Sequence, residues 1–183
     1  MKMIQRKKDD HAIVLDYLPY GYPLEGKMRP VVQAIGAEFF SLLELAPTRG
    51  ASFETGEKVY IGPDKRDKIY YIVGRLGKDK LTESARIQLQ EFIEKIVGEQ
   101  EEKFVNFFNN AQAINTRLHQ LELLPGFGKK HTNEILAARE SENFKSFEEM
   151  KTKTKSIPDP RKAIEKRIME EILENPRQKI FVS

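Results

Sequence analysis

Cysteine and tryptophan are absent from this chain, and only three histidines occur among its 183 residues. Without cysteine there is no disulfide framework, no thiolate zinc site and no thiol nucleophile. His11, His119 and His131 have no short metal-ligand spacing between them, so no metal centre is expected. No apolar run approaches the length that crosses a bilayer, and residues 1–10 lack the apolar stretch of a secretory signal. The expectation is a cytoplasmic protein without membrane contact. A large excess of one charge is missing too, since 31 Lys and Arg against 28 Asp and Glu leave a formal net charge of +3. Attraction for a polyanion must therefore come from local patches, one of which is the basic tail 1–9 with Lys2, Arg6, Lys7 and Lys8.

At this length, with 39% hydrophobic residues, two modest cores fit better than one large core. In residues 10–78, β-branched and aromatic runs at 11–18, 31–35, 38–45, 58–61 and 68–75 predict five strands. Ile69, Tyr71 and Val73 share one face of the last run, and Tyr70 and Ile72 the other. Five short strands suit a small OB-type barrel, with an SH3-like barrel as the alternative. Its loops carry Tyr20, Tyr22, Lys65 and Arg66, residue types that stack bases and hold a backbone. Tyrosines in such loops also serve as packing pegs.

Residues 79–110 read as linking helices. Ala85, Leu89, Phe92, Ile93, Ile96 and Val97 recur at helical spacing up to Gly98, which is expected to end the helix. Phe104, Phe107 and Phe108 then supply core for residues 111–183.

The most informative stretch is Leu124-Pro125-Gly126-Phe127-Gly128-Lys129-Lys130. Ile114, Leu118 and Leu121 predict a helix leading into it, and Ile135 and Leu136 one leading out. Pro125 stops the first helix, while Gly126 and Gly128 permit positive φ and leave room for close approach to the backbone. Phe127 can plug the turn. Lys129 and Lys130 fall on the first turn of the outgoing helix, where unpaired N–H groups and the helix dipole favour an anion such as phosphate.

With Thr132 where alanine is more common, this pattern resembles the helix-hairpin-helix family of nucleic-acid binders that lack sequence preference. The resemblance implies contacts from Gly126, Phe127, Gly128, Lys129, Lys130 and Thr132 to backbone phosphates, and a monovalent cation held by the hairpin carbonyls at 124–128. No other cofactor is expected.

A fainter copy follows, with Ile157-Pro158 matching Leu124-Pro125 and Ile168-Met169 matching Ile135-Leu136. Asp159-Pro160-Arg161 replaces the glycines, so the hairpin at 157–161 reads as structural. Asp159 suits an N-cap and Pro160 the first helical turn, while Arg161 and Lys162 could still add diffuse attraction. Ser146 and Glu149 fit a capping box for a short intervening helix, which Phe144 and Phe147 anchor. Ile164, Ile168 and Ile172 predict the last helix.

The whole order is α+β: an N-terminal five-stranded OB-like β-barrel followed by an all-α paired helix-hairpin-helix domain. It resembles an archaeal family of uncharacterised proteins that join an OB-like domain to a helix-hairpin-helix. That resemblance implies nucleic-acid binding, RNA related to translation and the ribosome in particular. A bacterial Holliday-junction-binding protein shares the domain order, which leaves branched DNA as an alternative. A third reading is an adaptor for ribosomal or transcription proteins, with the Lys179-Ile180-Phe181-Val182 tail as a docking strand. Glycosylases also carry the hairpin, but no aspartate lies between Lys129 and Asp159 and no carboxylate cluster suits two metals. The expectation is a non-catalytic binder.

Overall fold

The β-branched and aromatic runs form five strands in the described part of the chain, residues 7–183 of this computed structural model. They are β1 His11–Leu18, β2 Val31–Gly36, β3 Leu42–Pro47, β4 Lys58–Tyr60 and β5 Ile69–Arg75. The sheet order is β4-β1-β2-β3-β5, with every neighbouring pair antiparallel. β2 lies in the middle and is buried along its whole length, which its run Val31-Val32 and Ala34-Ile35 suits. Ala12, Val14, Val32, Ala34, Leu45 and Val59 pack together as the core of the sheet.

In place of the expected OB-like barrel, the five strands form a curled, open sheet. β4 and β5 are its two edges and are not paired with each other among the described residues. β4 has three residues, and β5 shifts register twice, leaving Tyr70 and Val73 without opposite residues on β3. Neither edge offers the straight ladder that closure needs. The third strand also begins later than the run at 38–45 implied. Asp9 Oδ1 accepts the N–H groups of Glu38 and Phe39 at 2.8 Å each, and Phe40 takes φ +59. The Gly36 N–H then donates to the Ser41 carbonyl at 2.8 Å, so residues 37–41 form a turn.

The α-helices are α1 Glu83–Glu99, α2 Glu101–Asn110, α3 Lys129–Ser141, α4 Phe147–Lys153 and α5 Pro160–Glu174. Short 3-10 helices cover Lys78–Lys80 and Gln120–Leu123. The chain packs as two units, Met1–Phe92 with Glu171–Ser183, and Ile93–Glu170, so the division falls inside α1 and α5. Lys2 and Arg6 of the basic tail lie outside the described residues.

In the first unit, fully buried Gln33 fixes the entry to α1. Its amide donates to the Lys80 carbonyl at 2.7 Å and to the Tyr22 hydroxyl at 3.3 Å, and its carbonyl accepts the Thr82 N–H at 3.1 Å. Thr82 caps the helix by accepting the Ala85 N–H. The tail expected to serve as a docking strand is already engaged. The buried Glu171 carboxylate accepts the N–H groups of Ile180, Phe181 and Val182 at 2.9–3.1 Å.

In the second unit α1 ends at Glu99, one residue past Gly98, close to where the sequence placed its end. An added Cβ on Gly98 would stand 2.7 Å from Arg161 Nη2, which donates to the Glu94 carbonyl at 3.0 Å. That glycine makes room for a guanidinium. The helix expected through Ile114, Leu118 and Leu121 is replaced by a turn and the single 3-10 turn Gln120–Leu123. Asn115 Oδ1 accepts the N–H groups of Arg117 and Leu118, and Ala113 bridges to His119. These local bonds give the backbone a competing set of partners.

Candidate functional site

The hairpin is a tight turn that opens directly onto α3. The Phe127 N–H donates to the Leu124 carbonyl at 3.1 Å, with Pro125 and Gly126 at the centre and Gly126 at φ +83. This is the residue order of a type II turn, which needs positive φ at its third position. A Cβ on Gly126 would stand in ordinary van der Waals contact with Pro158 Cγ at 3.4 Å, so it is conformation that calls for glycine there.

Phe127 is the plug that its sequence position suggested. It is 5% exposed, with ring centroids 6.1 Å from Phe108 and 5.8 Å from His131.

Gly128 differs from Gly126. Its φ of −112 is open to any residue, and an added Cβ would meet nothing within 4 Å. Neither conformation nor packing requires glycine at this position.

α3 starts at Lys129, and its first intrahelical bond runs from the Thr132 N–H to the Gly128 carbonyl at 3.0 Å. The first-turn N–H groups of Lys129, Lys130 and His131 have no intrahelical acceptor. Thr132 is buried and its hydroxyl donates to the Gly128 carbonyl at 3.0 Å, so it shapes the turn from inside. His131 Nδ1 accepts the Gly128 N–H at 3.1 Å.

The two lysines have different surroundings. Lys129 Nζ lies 3.2 Å from Glu122 Oε1 and donates to the Arg117 carbonyl at 2.8 Å. Lys130 is exposed, with no side-chain partner among the described residues.

Residues that the sequence reading passed over hold this arrangement. His119 Nδ1 accepts the Leu121 N–H at 3.1 Å, and Glu122 Oε2 accepts the His119 N–H at 2.7 Å. The pair forms a capping box at the turn before the hairpin. Burial first, and then the nearby Arg139 charge, push the His119 imidazole below its ordinary value. The His119 N–H and then Lys129 hold the Glu122 carboxyl below the usual carboxylate range. The visible signal was His-x-x-Glu, four residues before the first glycine.

The second hairpin is packed and capped. Glu134 on α3 accepts the N–H groups of Lys155 and Ser156 and the Ser156 hydroxyl. Asp159 Oδ1 accepts the Lys162 N–H at 3.1 Å, and Oδ2 lies 3.3 Å from Lys151 Nζ. Partial burial works against ionisation of Asp159, but the Lys162 N–H and the Lys151 ammonium outweigh it and keep the carboxyl below its usual range. Arg161 is engaged with Glu165 at 3.0 Å and the Glu94 carbonyl. Lys162 is exposed without a side-chain partner among the described residues.

Tyr20, Tyr22, Lys65 and Arg66 belong to the first unit. Tyr22 is half-buried beneath Lys80, whose Nζ lies 5.0 Å from the ring centroid; burial pushes its hydroxyl up to about 12, which marks it as a packing peg. Tyr20 is 72% exposed. Lys65 is exposed, and Arg66 Nε donates to the Gly62 carbonyl at 2.8 Å.

The described residues contain no His, Asp and Glu group able to hold a metal, and no helix among them is long and apolar enough to cross a membrane.

Fold and site together define an α+β protein in which a curled five-stranded antiparallel sheet is followed by five α-helices, one of them preceded by a glycine hairpin. The chain belongs to the family described as protein of unknown function DUF655, which matches it over residues 8–183. It is similar to the uncharacterised protein MJ0038 of Methanocaldococcus jannaschii, 39% identical over 177 residues that cover 97% of this chain and 80% of the relative. It is also similar to the crystal structure of Af1531 from Archaeoglobus fulgidus. That likeness has 39% identity and a TM-score of 0.82, and covers 96% of this chain and all of the other.

Proposed function

We infer that this is a non-catalytic nucleic-acid-binding protein whose hairpin at 124–128 grips the phosphate backbone in the manner of a helix-hairpin-helix. In this reading the sheet acts as a second, OB-like platform. The observation that carries the reading is Gly128. A glycine that neither conformation nor packing needs, placed at the open N-terminus of a 13-residue helix, is explained by a ligand that must come close to the backbone. The first-turn N–H groups and Lys130, exposed and without a side-chain partner among the described residues, call for a negatively charged ligand. The hairpin carbonyls are proposed to hold a monovalent cation between themselves and a phosphate. Backbone contacts carry no base information, so little sequence preference is expected, with RNA of the translation machinery as the proposed target.

The test is Gly128→Val in the full chain, with binding to labelled duplex and single-stranded RNA and DNA followed over a salt series. Affinity that falls with salt is expected for the parent protein. The variant should melt at the parent temperature yet bind about ten-fold or more weakly, the loss expected when charge-assisted backbone bonds are blocked. A folded variant with parental affinity for every probe would remove the hairpin from the site.

A further inference from the structure

The open sheet leaves a cavity of about 600 Å³ along its unclosed seam. Both free edges contribute: Ile61 to Pro63 follow β4, and Ile72 and Arg75 lie on β5. Its floor is apolar, with Phe40, Leu42, Ile61 and Ile72. Lys7, Lys8, Arg66 and Arg75 stand around it, against the carboxylates of Asp9 and Asp10. Asp9 Oδ1 is committed to two backbone amides and its Oδ2 is buried against Gly36 without a hydrogen-bond partner, so the cation count rests on Lys8 and Arg75, which have no side-chain partner among the described residues. Arg66 is anchored through Nε alone, which leaves the outer face of its guanidinium available. The surroundings therefore suit an anion attached to an apolar body.

A second, smaller cavity of about 260 Å³ continues the first and shares Pro63 and Arg66 with it. Tyr70 lines its far end. Tyr70 is 73% and Tyr71 47% exposed, with ring centroids 5.5 Å apart at 75°. The track thus runs from an apolar cavity past a guanidinium to exposed aromatic rings, a repeat of flat surface and positive charge that fits a polymer better than a compact metabolite.

Two polymers could present that chemistry, and the register of β5 decides between them. An acidic peptide would dock on a free edge by adding a strand, but β5 is bulged at both Tyr70 and Val73, which breaks the spacing of its outward N–H and C=O groups. A base needs only a ring face to stack on and a cation for its phosphate.

We propose that the seam between β4 and β5 is a single-strand nucleic-acid site, with bases on Tyr70, Tyr71 and the apolar floor and phosphates on Arg66, Arg75 and Lys8. The proposal rests on the reading that the protein binds nucleic acid, and adds a site and a strandedness that the hairpin does not supply. The test uses the full chain with fluorescent oligouridylate, a fluorescent RNA duplex and fluorescent polyglutamate. Both tyrosines changed to Ala should lower oligouridylate affinity about ten-fold or more and leave duplex affinity and melting temperature unchanged. Arg75→Glu should do the same by charge reversal. Parental oligouridylate affinity in both variants overturns the seam site, and if Gly128→Val alone weakens binding, the hairpin reading stands without it. Seam variants that act while Gly128→Val changes nothing support the seam and remove the hairpin. A protein that takes up polyglutamate at the seam and ignores oligouridylate overturns the proposal in favour of an acidic protein partner.

Discussion

The two hairpins of the second unit carry the same Pro and the same following lysine, yet they treat the start of their helices in opposite ways. At 157–161 the negative charge is built in: Asp159 accepts the Lys162 N–H and pairs with Lys151. Where the first hairpin has Gly128, the second has Arg161, folded back on Glu165 and the Glu94 carbonyl. At 124–128 no side-chain carboxylate caps α3, and the space beside Gly128 is open. A helix that carries its own anion has little need of another, whereas one that lacks it remains an anion site. On the proposed reading, one copy anchors and the other contacts the ligand. It also explains why they meet, since Gly126 lies against Pro158 and Glu134 clamps the loop before α5.

The largest effect that bears on this contrast is expected at Phe127. Phe127→Ala empties a site bounded by Phe108 and His131 and should cost about 3–5 kcal/mol in urea unfolding, because the surrounding helices cannot fully close over the space. A loss below about 1 kcal/mol would mean that the turn holds its shape without its plug, and that the hydrogen bonds of the turn and its capping box suffice. The second copy has Pro160 at the matching position, so its integrity should depend on the cap instead. Asp159→Ala is accordingly expected to cost about 1 kcal/mol at neutral pH, the ordinary value of an N-cap. Because the Asp159 carboxyl is held below its usual range in the folded protein, its ionic contribution is present above the unfolded value and is lost as pH falls through the folded one. Melting curves of parent and variant should therefore begin to converge as pH falls past about 4 and meet only below the depressed folded value. A gap that persists there would assign the cap to geometry rather than charge.

The strands were legible because their signal is local. His11–Leu18 and Ile69–Arg75 follow runs of β-branched and aromatic residues closely. The start of β3 was not, since the amides of Glu38 and Phe39 are taken by Asp9, which lies on the far side of β1 and β2 in sequence. Ile114, Leu118 and Leu121 have helical spacing, but one Asn115 side chain diverts the backbone into a turn, and periodicity does not register that competition. The turn, its Phe127 plug and the start of α3 were legible because they lie within a few consecutive residues. The seam was not. Lys8, Arg66, Arg75 and the tyrosines converge only after the sheet has curled, and the two bulges that expose Tyr70 and Val73 leave no mark on the residue types. Lys129 is legible as a cation near the turn, but its engagement with Glu122 depends on a capping box that only the folded turn before the hairpin brings together.

That engagement gives the smallest and most discriminating expectation. Glu122 does two things at once: one oxygen closes the box on the His119 N–H, and the other holds Lys129. Glu122→Gln keeps an acceptor for His119 and removes the charge, so the turn should stay intact while Lys129 is released. If Lys129 is a phosphate contact, binding should tighten by about two-fold at low salt, the modest scale of an exposed ion pair, and the salt dependence should steepen as one more cation engages. Lys129→Ala made in the Glu122→Gln background should reverse both changes. Equal affinity and an equal salt slope in parent and Glu122→Gln would show that Lys129 serves the hairpin from within, as Thr132 does, and would leave Lys130 with the backbone amides as the charged contact of the first hairpin.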